Sequence, residues 1–249
     1  VIVIGGGLAG LTLTSLLAAH GADVVCIDRE SPPTTLTETF DGRTTAISWG
    51  SRKVLQAAGA WEALEPASCA IRKIHILDGD SPLLLDFDSD EVGGRTFGWI
   101  AENLMIRQAL YKRLQSLKSA QHIAPAIVKD FNVGADVVRV YLQDGREIEA
   151  SLVIGADGRQ SFTREWMGIG TRAWSYHQRA IVCNAEHENP HHNIAVEHFR
   201  PSGPFATLPM NDSPDGTPRS SVVWTEHGHA RDSALHWDQE SFDAALTAR

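Results

Sequence analysis

Residues 1–28 read VIVIGGGLAGLTLTSLLAAHGADVVCID, and this stretch decides the fold of the first part of the chain. Residues 1–4 form an apolar run that is typical of a buried parallel strand, and the segment after the glycines predicts a helix over residues 8–20. Residues 22–28 supply a second apolar strand. The order of strand, helix and strand within about 30 residues is typical of a βαβ unit.

Three glycines between the first strand and the helix carry a binding pattern. Gly5, Gly7 and Gly10 satisfy G-x-G-x-x-G, in which the first Gly permits a tight turn, the second lets a pyrophosphate approach the backbone, and the third allows close packing. The helix N-terminus offers free N–H groups to the phosphates. Asp28 ends the second strand, where its carboxylate can accept hydrogen bonds from an adenosine ribose. The stretch therefore predicts a dinucleotide site, and it leaves NAD and FAD both open.

Composition narrows the class of protein. The chain has 249 residues, of which 43% are apolar and 21% charged, so it can bury a core as one large or two modest domains. A net charge of −9 without a Lys/Arg cluster argues against nucleic acid as a partner. Three cysteines without C-x-x-C spacing indicate neither a disulfide framework nor a zinc site, and they favour a reducing compartment.

The rest of the chain predicts further elements. A polar arm with Pro32, Pro33 and four threonines follows the second strand. Helices are predicted over residues 46–58 and 103–119, and the strands of an antiparallel sheet over residues 71–77, 83–87 and 97–101. A hairpin is predicted from residues 137–142 and 148–154, followed by strands over residues 180–185, 194–199, 205–208 and 221–225.

Three later segments carry a family resemblance. Residues 152–161 (LVIGADGRQS) resemble the Asp-Gly motif of the flavoprotein monooxygenases. Residues 41–48 (DGRTTAIS) resemble the segment that opens the first long helix in the ubiquinone-biosynthesis hydroxylases, and residues 197–210 (EHFRPSGPFATLPM) resemble their substrate-domain strand. With the glycine pattern, these matches span most of the chain in the expected order. The chain thus resembles the FAD-dependent hydroxylases of the 2-polyprenyl-6-methoxyphenol hydroxylase type.

The resemblance implies an α/β fold with two domains. A Rossmann-like FAD-binding domain of the aromatic-hydroxylase type is expected over residues 1–72 and 97–172. A second, antiparallel-sheet substrate domain is expected over residues 73–96 and 173–249. The family carries a later Gly-Asp motif that is not found after Gly158, and the sequence starts inside a strand and stops in a helical pattern. We therefore expect a chain truncated at both ends.

The resemblance also implies a cofactor site. The residues expected to hold the ADP half of FAD are Gly5, Gly7, Leu8, Ala9, Gly10, Asp28 and Arg29. Arg43 and Arg107 are expected to approach the pyrophosphate or the ribityl chain, with an ordinary surface role as the alternative for Arg43. Asp157 and Gly158 are expected beside the cofactor or on the path of the nicotinamide. No catalytic side chain is assigned.

Histidines near residue 190 raise the question of a metal. His187, His191 and His192 lie among glutamates, but they straddle Pro190 in a predicted loop, and we interpret them as a solvated turn. His227 and His229 are interpreted in the same way. We predict no metal site.

The function implied by the resemblance is hydroxylation of the aromatic ring of a polyprenylated phenol in ubiquinone biosynthesis. FAD is the cofactor, NAD(P)H the co-substrate and O₂ the oxidant. The implied location is cytoplasmic, with possible peripheral contact at the inner membrane face and possible assembly with other ubiquinone-biosynthesis proteins. An NAD-dependent Rossmann dehydrogenase and a non-catalytic dinucleotide-binding fragment are the alternatives. The hydroxylated ring carbon, the choice between NADH and NADPH and the oligomeric state stay open.

Overall fold

The structure, a computed structural model, describes residues 1–32, 42–228 and 233–249. The chain divides into two compact units. The first unit contains Val1–Asp41, Gly50–Ala67 and Asn103–Arg172, and the second contains Gly42–Trp49, Ser68–Glu102 and Ala173–Arg249. Compared with the sequence-based boundaries, residues 42–49, 68–72 and 97–102 therefore go with the second unit. The predicted polar arm from Pro33 onward, Asp41 and His229 lie outside the described residues.

The bounds of the elements are as follows. The strands are β1 (Ile2–Ile4), β2 (Val24–Ile27), β3 (Thr44–Ser48), β4 (Ser68–Ile71), β5 (Lys73–Asp78), β6 (Leu84–Asp88), β7 (Gly98–Glu102), β8 (Ala120–Ile123), β9 (Val128–Val133), β10 (Val138–Leu142), β11 (Glu147–Ala150), β12 (Val153–Gly155), β13 (Gln178–Glu186), β14 (Ile194–Phe199), β15 (Phe205–Met210) and β16 (Arg219–His227). The helices are α1 (Leu8–Ala19), α2 (Trp49–Ala57), α3 (Trp61–Leu64), α4 (Asn103–Gln115), α5 (Phe162–Trp166) and α6 (Gln239–Thr247).

The first unit is built on a parallel sheet with strand order β12-β1-β2-β8. Val3 and Val24 pack with Ala18 of α1 on one face. On the other face Ile2 and Ile4 pack with residues of a three-stranded antiparallel sheet, β11-β10-β9. Because β1 is covered on both faces, its sequence is a continuous apolar run rather than an alternating one. The predicted βαβ unit is present.

The second unit contains a six-stranded sheet with strand order β13-β16-β15-β14-β5-β6 and a three-stranded sheet with order β3-β7-β4. Neighbouring strands are antiparallel except β14 and β5, which run parallel. Helix α6 covers one face of the large sheet, where Trp224 and Ile181 pack against Phe242. The predicted antiparallel sheet is thus present, with one parallel pair inside it.

The predicted helix over residues 46–58 is wrong at its start. Thr44–Ser48 form strand β3, which pairs antiparallel with β7, and the helix begins only at Trp49. Two threonines and Ile47 are β-branched and favour an extended backbone, and the ladder with β7 satisfies their peptide groups. Gly59 ends this helical region with a φ of 77°, as its position predicts.

Two pairing predictions are also wrong. The strands near residues 71–101 do not form one sheet, since β4 and β7 pair in the small sheet and β5 and β6 in the large one. The predicted strand over residues 148–154 is two strands. β11 completes the hairpin with β10, whereas β12 pairs parallel with β1. Hydrophobic pattern locates strands, but it does not specify which distant strand becomes the neighbour.

Candidate functional site

The turn between β1 and α1 explains two of the three glycines. Gly5 has a φ of 106°, and a Cβ atom on it would lie 2.4 Å from the carbonyl oxygen of Ala156. A Cβ atom on Gly10 would lie 1.8 Å from the carbonyl oxygen of Gly5. Both glycines therefore allow the first turn of α1 to pack directly on the turn and on the segment after β12.

Gly7 differs from the other two, because a Cβ atom on it would have no neighbour within 4 Å. It is exposed, has a φ of −72° and forms the N-cap of α1 without a side-chain hydrogen bond. The first turn of α1, which contains Leu8 and Ala9, carries no acidic residue. The N–H groups of this turn lie at the positive end of a 12-residue helix, where backbone donors can bind an anion. This arrangement fits a pyrophosphate group.

Asp28 lies beside this turn. A Cβ atom on Gly6 would lie 2.3 Å from Oδ2 of Asp28, so the carboxylate occupies the space that a side chain at Gly6 would need. The Asp28 backbone N–H donates to the Ile123 carbonyl at 3.0 Å, and its Oδ1 accepts from the Glu30 N–H at 3.0 Å. Arg29 follows and is exposed. The structure fixes Asp28 next to the glycines, where the sequence predicts a ribose.

We expect Asp28→Ala to weaken FAD binding by about 1–3 kcal/mol, the usual cost of losing a charged hydrogen-bond partner. Asp23→Ala is the matched control, since Asp23 is exposed and precedes the same strand that Asp28 follows. The measurement is a titration of each apoprotein with FAD, followed by flavin fluorescence. Equal dissociation constants for the two variants would show that Asp28 does not contact the cofactor.

The predicted Asp-Gly motif follows β12 and touches the same turn. A Cβ atom on Gly5 would lie 2.8 Å from Cα of Asp157. The Asp157 carboxylate accepts hydrogen bonds from the Ser161 hydroxyl and from the Thr163 N–H, the latter at 2.8 Å. Burial raises the pKa of this carboxyl group, but the hydrogen bonds from Ser161 and Thr163 outweigh burial and leave the pKa below its usual value.

The Asp157 side chain thus holds the loop onto the start of α5, a role that the sequence did not reveal. Gly158 has a φ of 81° and is exposed. That Asp157 and Gly158 approach the cofactor stays a prediction, which the backbone of Asp157 beside the glycine turn supports.

The two predicted arginines belong to different units. Arg107 lies on α4, which packs against α1 in the first unit. It is half-buried, and its Nε atom is buried without a hydrogen-bond acceptor among the described residues. The predicted contact of Arg107 with the pyrophosphate or the ribityl chain stays a prediction. Arg43 immediately precedes β3 in the second unit, and its predicted cofactor contact stays a prediction.

The predicted substrate segment forms β14 and β15 of the large sheet. Glu197 on β14 is half-buried, and burial raises the pKa of its carboxyl group. His187 and His191 are half-buried rather than solvated. His187 Nε2 lies 2.9 Å from the Ser220 hydroxyl, and His191 Nε2 lies 2.8 Å from the Met210 carbonyl oxygen. These histidines hold loops of the second unit together.

Within residues 1–32, 42–228 and 233–249, no group of three or more His, Cys, Asp and Glu side chains is arranged to hold a metal ion. Across the same described part of the chain, no helix has both the length and the apolar character needed to span a bilayer.

The parallel sheet, the glycine turn and the acidic residue after β2 together define a dinucleotide-binding protein. The chain belongs to the FAD binding domain family, which matches residues 1–247. The predicted family and FAD as the cofactor are confirmed by this match.

Curated relatives agree with this family. The chain is 43% identical over 249 residues to ubiquinone hydroxylase UbiL of Rhodospirillum rubrum, a match that covers 100% of the chain and 57% of UbiL. It is 32% identical over 269 residues to the mitochondrial ubiquinone biosynthesis monooxygenase COQ6 of Rattus norvegicus, covering 100% of the chain and 54% of COQ6. It is 31% identical over 226 residues to 3-demethoxyubiquinol 3-hydroxylase of Escherichia coli, covering 90% of the chain and 56% of that enzyme. The chain thus spans somewhat more than half the length of these relatives.

Solved structures share the fold. PqsL of Pseudomonas aeruginosa, a probable FAD-dependent monooxygenase, superposes with a TM-score of 0.81 over 98% of the chain and 65% of PqsL, at 18% identity. 2-Methyl-3-hydroxypyridine-5-carboxylic acid oxygenase superposes with a TM-score of 0.73 over 99% of the chain and 64% of the oxygenase, also at 18% identity. The predicted α/β fold class is confirmed.

Proposed function

We propose that this chain forms the FAD-binding part and much of the substrate sheet of a monooxygenase that hydroxylates the aromatic ring of a polyprenylated phenol in ubiquinone biosynthesis. The observation that carries the proposal is the 43% identity to ubiquinone hydroxylase UbiL over the whole chain. The names of the COQ6 and Escherichia coli relatives point to the same chemistry. An NAD-dependent dehydrogenase does not account for the FAD family match.

Each group in this proposal has a part. The N–H groups at the start of α1 bind the pyrophosphate of FAD, and Asp28 accepts hydrogen bonds from the adenosine ribose. Bound FAD supplies the redox chemistry, with NAD(P)H as the electron donor and O₂ as the oxygen source. The protein binds and orients FAD and the phenol substrate, and it keeps water from the reacting ring. This reaction needs no side-chain nucleophile and no metal.

The test has a spectroscopic and a chemical arm. The purified protein should be yellow, with the two-banded visible absorbance of oxidised flavin, and NADH or NADPH should bleach it in the absence of oxygen. Under an atmosphere in which ¹⁸O₂ replaces ordinary oxygen, one ¹⁸O atom should enter a polyprenylated phenol, as measured by mass spectrometry. A colourless, folded protein that takes up NAD and no FAD would contradict the proposal.

The length of the relatives decides how this test is arranged. Both measurements should be made on the 249-residue chain and on a version extended to the length of UbiL. The chain covers 57% of UbiL, and the residues of the remaining part can contribute to hydroxylation. Yellow protein without hydroxylation at either length would favour a flavin-binding module of another function.

We further propose a cytoplasmic protein with peripheral contact at the inner membrane face and assembly with other ubiquinone-biosynthesis proteins. The support is chemical, since a polyprenylated phenol partitions into a bilayer and the enzyme must reach it there. Flotation with liposomes that contain such a phenol, compared with liposomes that lack it, tests the contact.

A further inference from the structure

Three neighbouring side chains of the first unit carry buried polar atoms that lack hydrogen-bond partners. The atoms are Arg107 Nε, the Tyr111 hydroxyl and His122 Nε2, and none has a partner among the described residues. Arg107 and Tyr111 are four residues apart on α4 and thus share one face of the helix. The rings of Tyr111 and His122 lie 5.5 Å apart between centroids, tilted by 39°. Because unpaired buried groups are costly, three of them in one place call for an explanation.

The three atoms are complementary in hydrogen-bonding character. The Nε–H of an arginine only donates, a tyrosine hydroxyl both donates and accepts, and a neutral histidine has one nitrogen that accepts. Burial lowers the pKa of His122, against the opposing charge of Asp28, so its ring is neutral at neutral pH. Burial raises the pKa of Tyr111, and the nearby Arg107 guanidinium opposes this rise. Arg107 is therefore close to the hydroxyl, and an adjustment of the side chains would join the two groups in a hydrogen bond.

The cluster lies near Asp28 of the predicted cofactor site. His122 on β8 pairs in register with Cys26 on β2, and Asp28 donates its N–H to the next residue, Ile123. The charged and titratable groups that influence Tyr111 and His122 are Arg107, Asp28 and Cys26.

We propose that Tyr111 and His122 are positioning residues that hold Arg107 for binding the pyrophosphate of FAD. When FAD binds, the Tyr111 hydroxyl donates to His122 Nε2 and accepts from Arg107 Nε–H, and the terminal NH₂ groups of Arg107 donate to the phosphate oxygens. This one chain of hydrogen bonds would pair all three of the atoms that lack partners. The inference rests on the cofactor role of Arg107 in the proposed function.

The test is a double-mutant cycle on FAD affinity with Tyr111→Phe, Arg107→Ala and the combination. Tyr111→Phe removes only the hydroxyl, and we expect the dissociation constant of FAD to rise about 2- to 12-fold, the usual effect of one lost hydrogen bond. In the Arg107→Ala background, Tyr111→Phe should cause no further rise, because it acts through the missing guanidinium. Tyr141→Phe, on β10 of the same unit, is the matched control and should leave the affinity unchanged.

His122 provides a second, independent arm. His122→Leu should weaken FAD binding as Tyr111→Phe does, and His122→Gln should retain most of the affinity because its side chain keeps an acceptor. The melting temperature of each apoprotein is measured alongside, since a residue that only supports folding would lower it without changing FAD affinity. That outcome would overturn the proposal.

The remaining outcomes distinguish the positioning role of Tyr111 and His122 from the proposed function of the protein. An equal rise in the dissociation constant on Tyr111→Phe with and without the Arg107 side chain would overturn the positioning role. Loss of affinity on Arg107→Ala together with a silent Tyr111→Phe would overturn it as well, while keeping Arg107 as a ligand. A silent Arg107→Ala would remove Arg107 from the cofactor site. Failure to hydroxylate, with normal FAD binding, would count against the proposed reaction alone.

Discussion

Protein carrying Gly7→Val is expected to fold normally and to remain colourless. A side chain at Gly7 meets no protein atom within 4 Å, so the apoprotein accommodates it. The same side chain would fill the space in which the pyrophosphate approaches the backbone, and FAD uptake should fall below detection.

Gly10→Val, in contrast, should destabilise the fold of the apoprotein. Its Cβ would lie 1.8 Å from the Gly5 carbonyl oxygen, so the apoprotein itself should lose about 1–3 kcal/mol or more.

Gly170→Val is the control for both variants, because Gly170 also has open space around it and an ordinary φ. The measurements are the melting temperature of each apoprotein and its flavin absorbance after incubation with FAD. Normal FAD uptake by Gly7→Val would mean that the pyrophosphate does not approach this turn.

The second large effect is expected in the second unit. Trp224 is 1% exposed, and its ring lies 5.5 Å from that of Phe242 between centroids, with the Arg249 guanidinium 4.1 Å from the ring centroid. Trp224→Ala should reduce the free energy of unfolding by about 3–5 kcal/mol, because it removes the side chain that joins α6 to the large sheet.

Trp174→Ala serves as the control for this change, since Trp174 is 67% exposed and its loss should cost less than about 0.5 kcal/mol. Denaturant unfolding followed by circular dichroism gives both values. If the two tryptophan variants were equally stable, α6 would not be anchored as described.

The sequence was sufficient for the glycine turn and Asp28 because their geometry is local. Gly5, Gly7 and Gly10 lie between one strand and one helix, and Asp28 ends the strand that follows. The βαβ unit places these residues together without help from the rest of the chain. The structure accordingly brings Asp28 against the turn, as predicted, and adds Gly6 as the residue that the carboxylate touches.

The features that the sequence did not specify depend on distant pairing. Thr44–Ser48 are extended because they pair with β7. The helical pattern in residues 46–58 is local and gives no information about a strand some 50 residues later in the sequence. Tyr111 and His122 meet only because β8 pairs with β2 and α4 packs nearby, so neither residue stands out in the sequence. The hydrogen bonds that the Asp157 carboxylate accepts from Ser161 and Thr163 likewise depend on how the loop leads into α5.

The neighbours of β1 have a consequence for biosynthesis. β1 pairs with β2 on one side, but its other neighbour, β12, begins only at Val153. At a synthesis rate of about 5–20 residues per second, that strand leaves the ribosome roughly 6–25 s after β2. In the large sheet, β5 likewise pairs with β14, a strand that is made after β12. Until these later strands are made, the nascent chain carries apolar strand edges, and we expect chaperones at the ribosome exit to bind them.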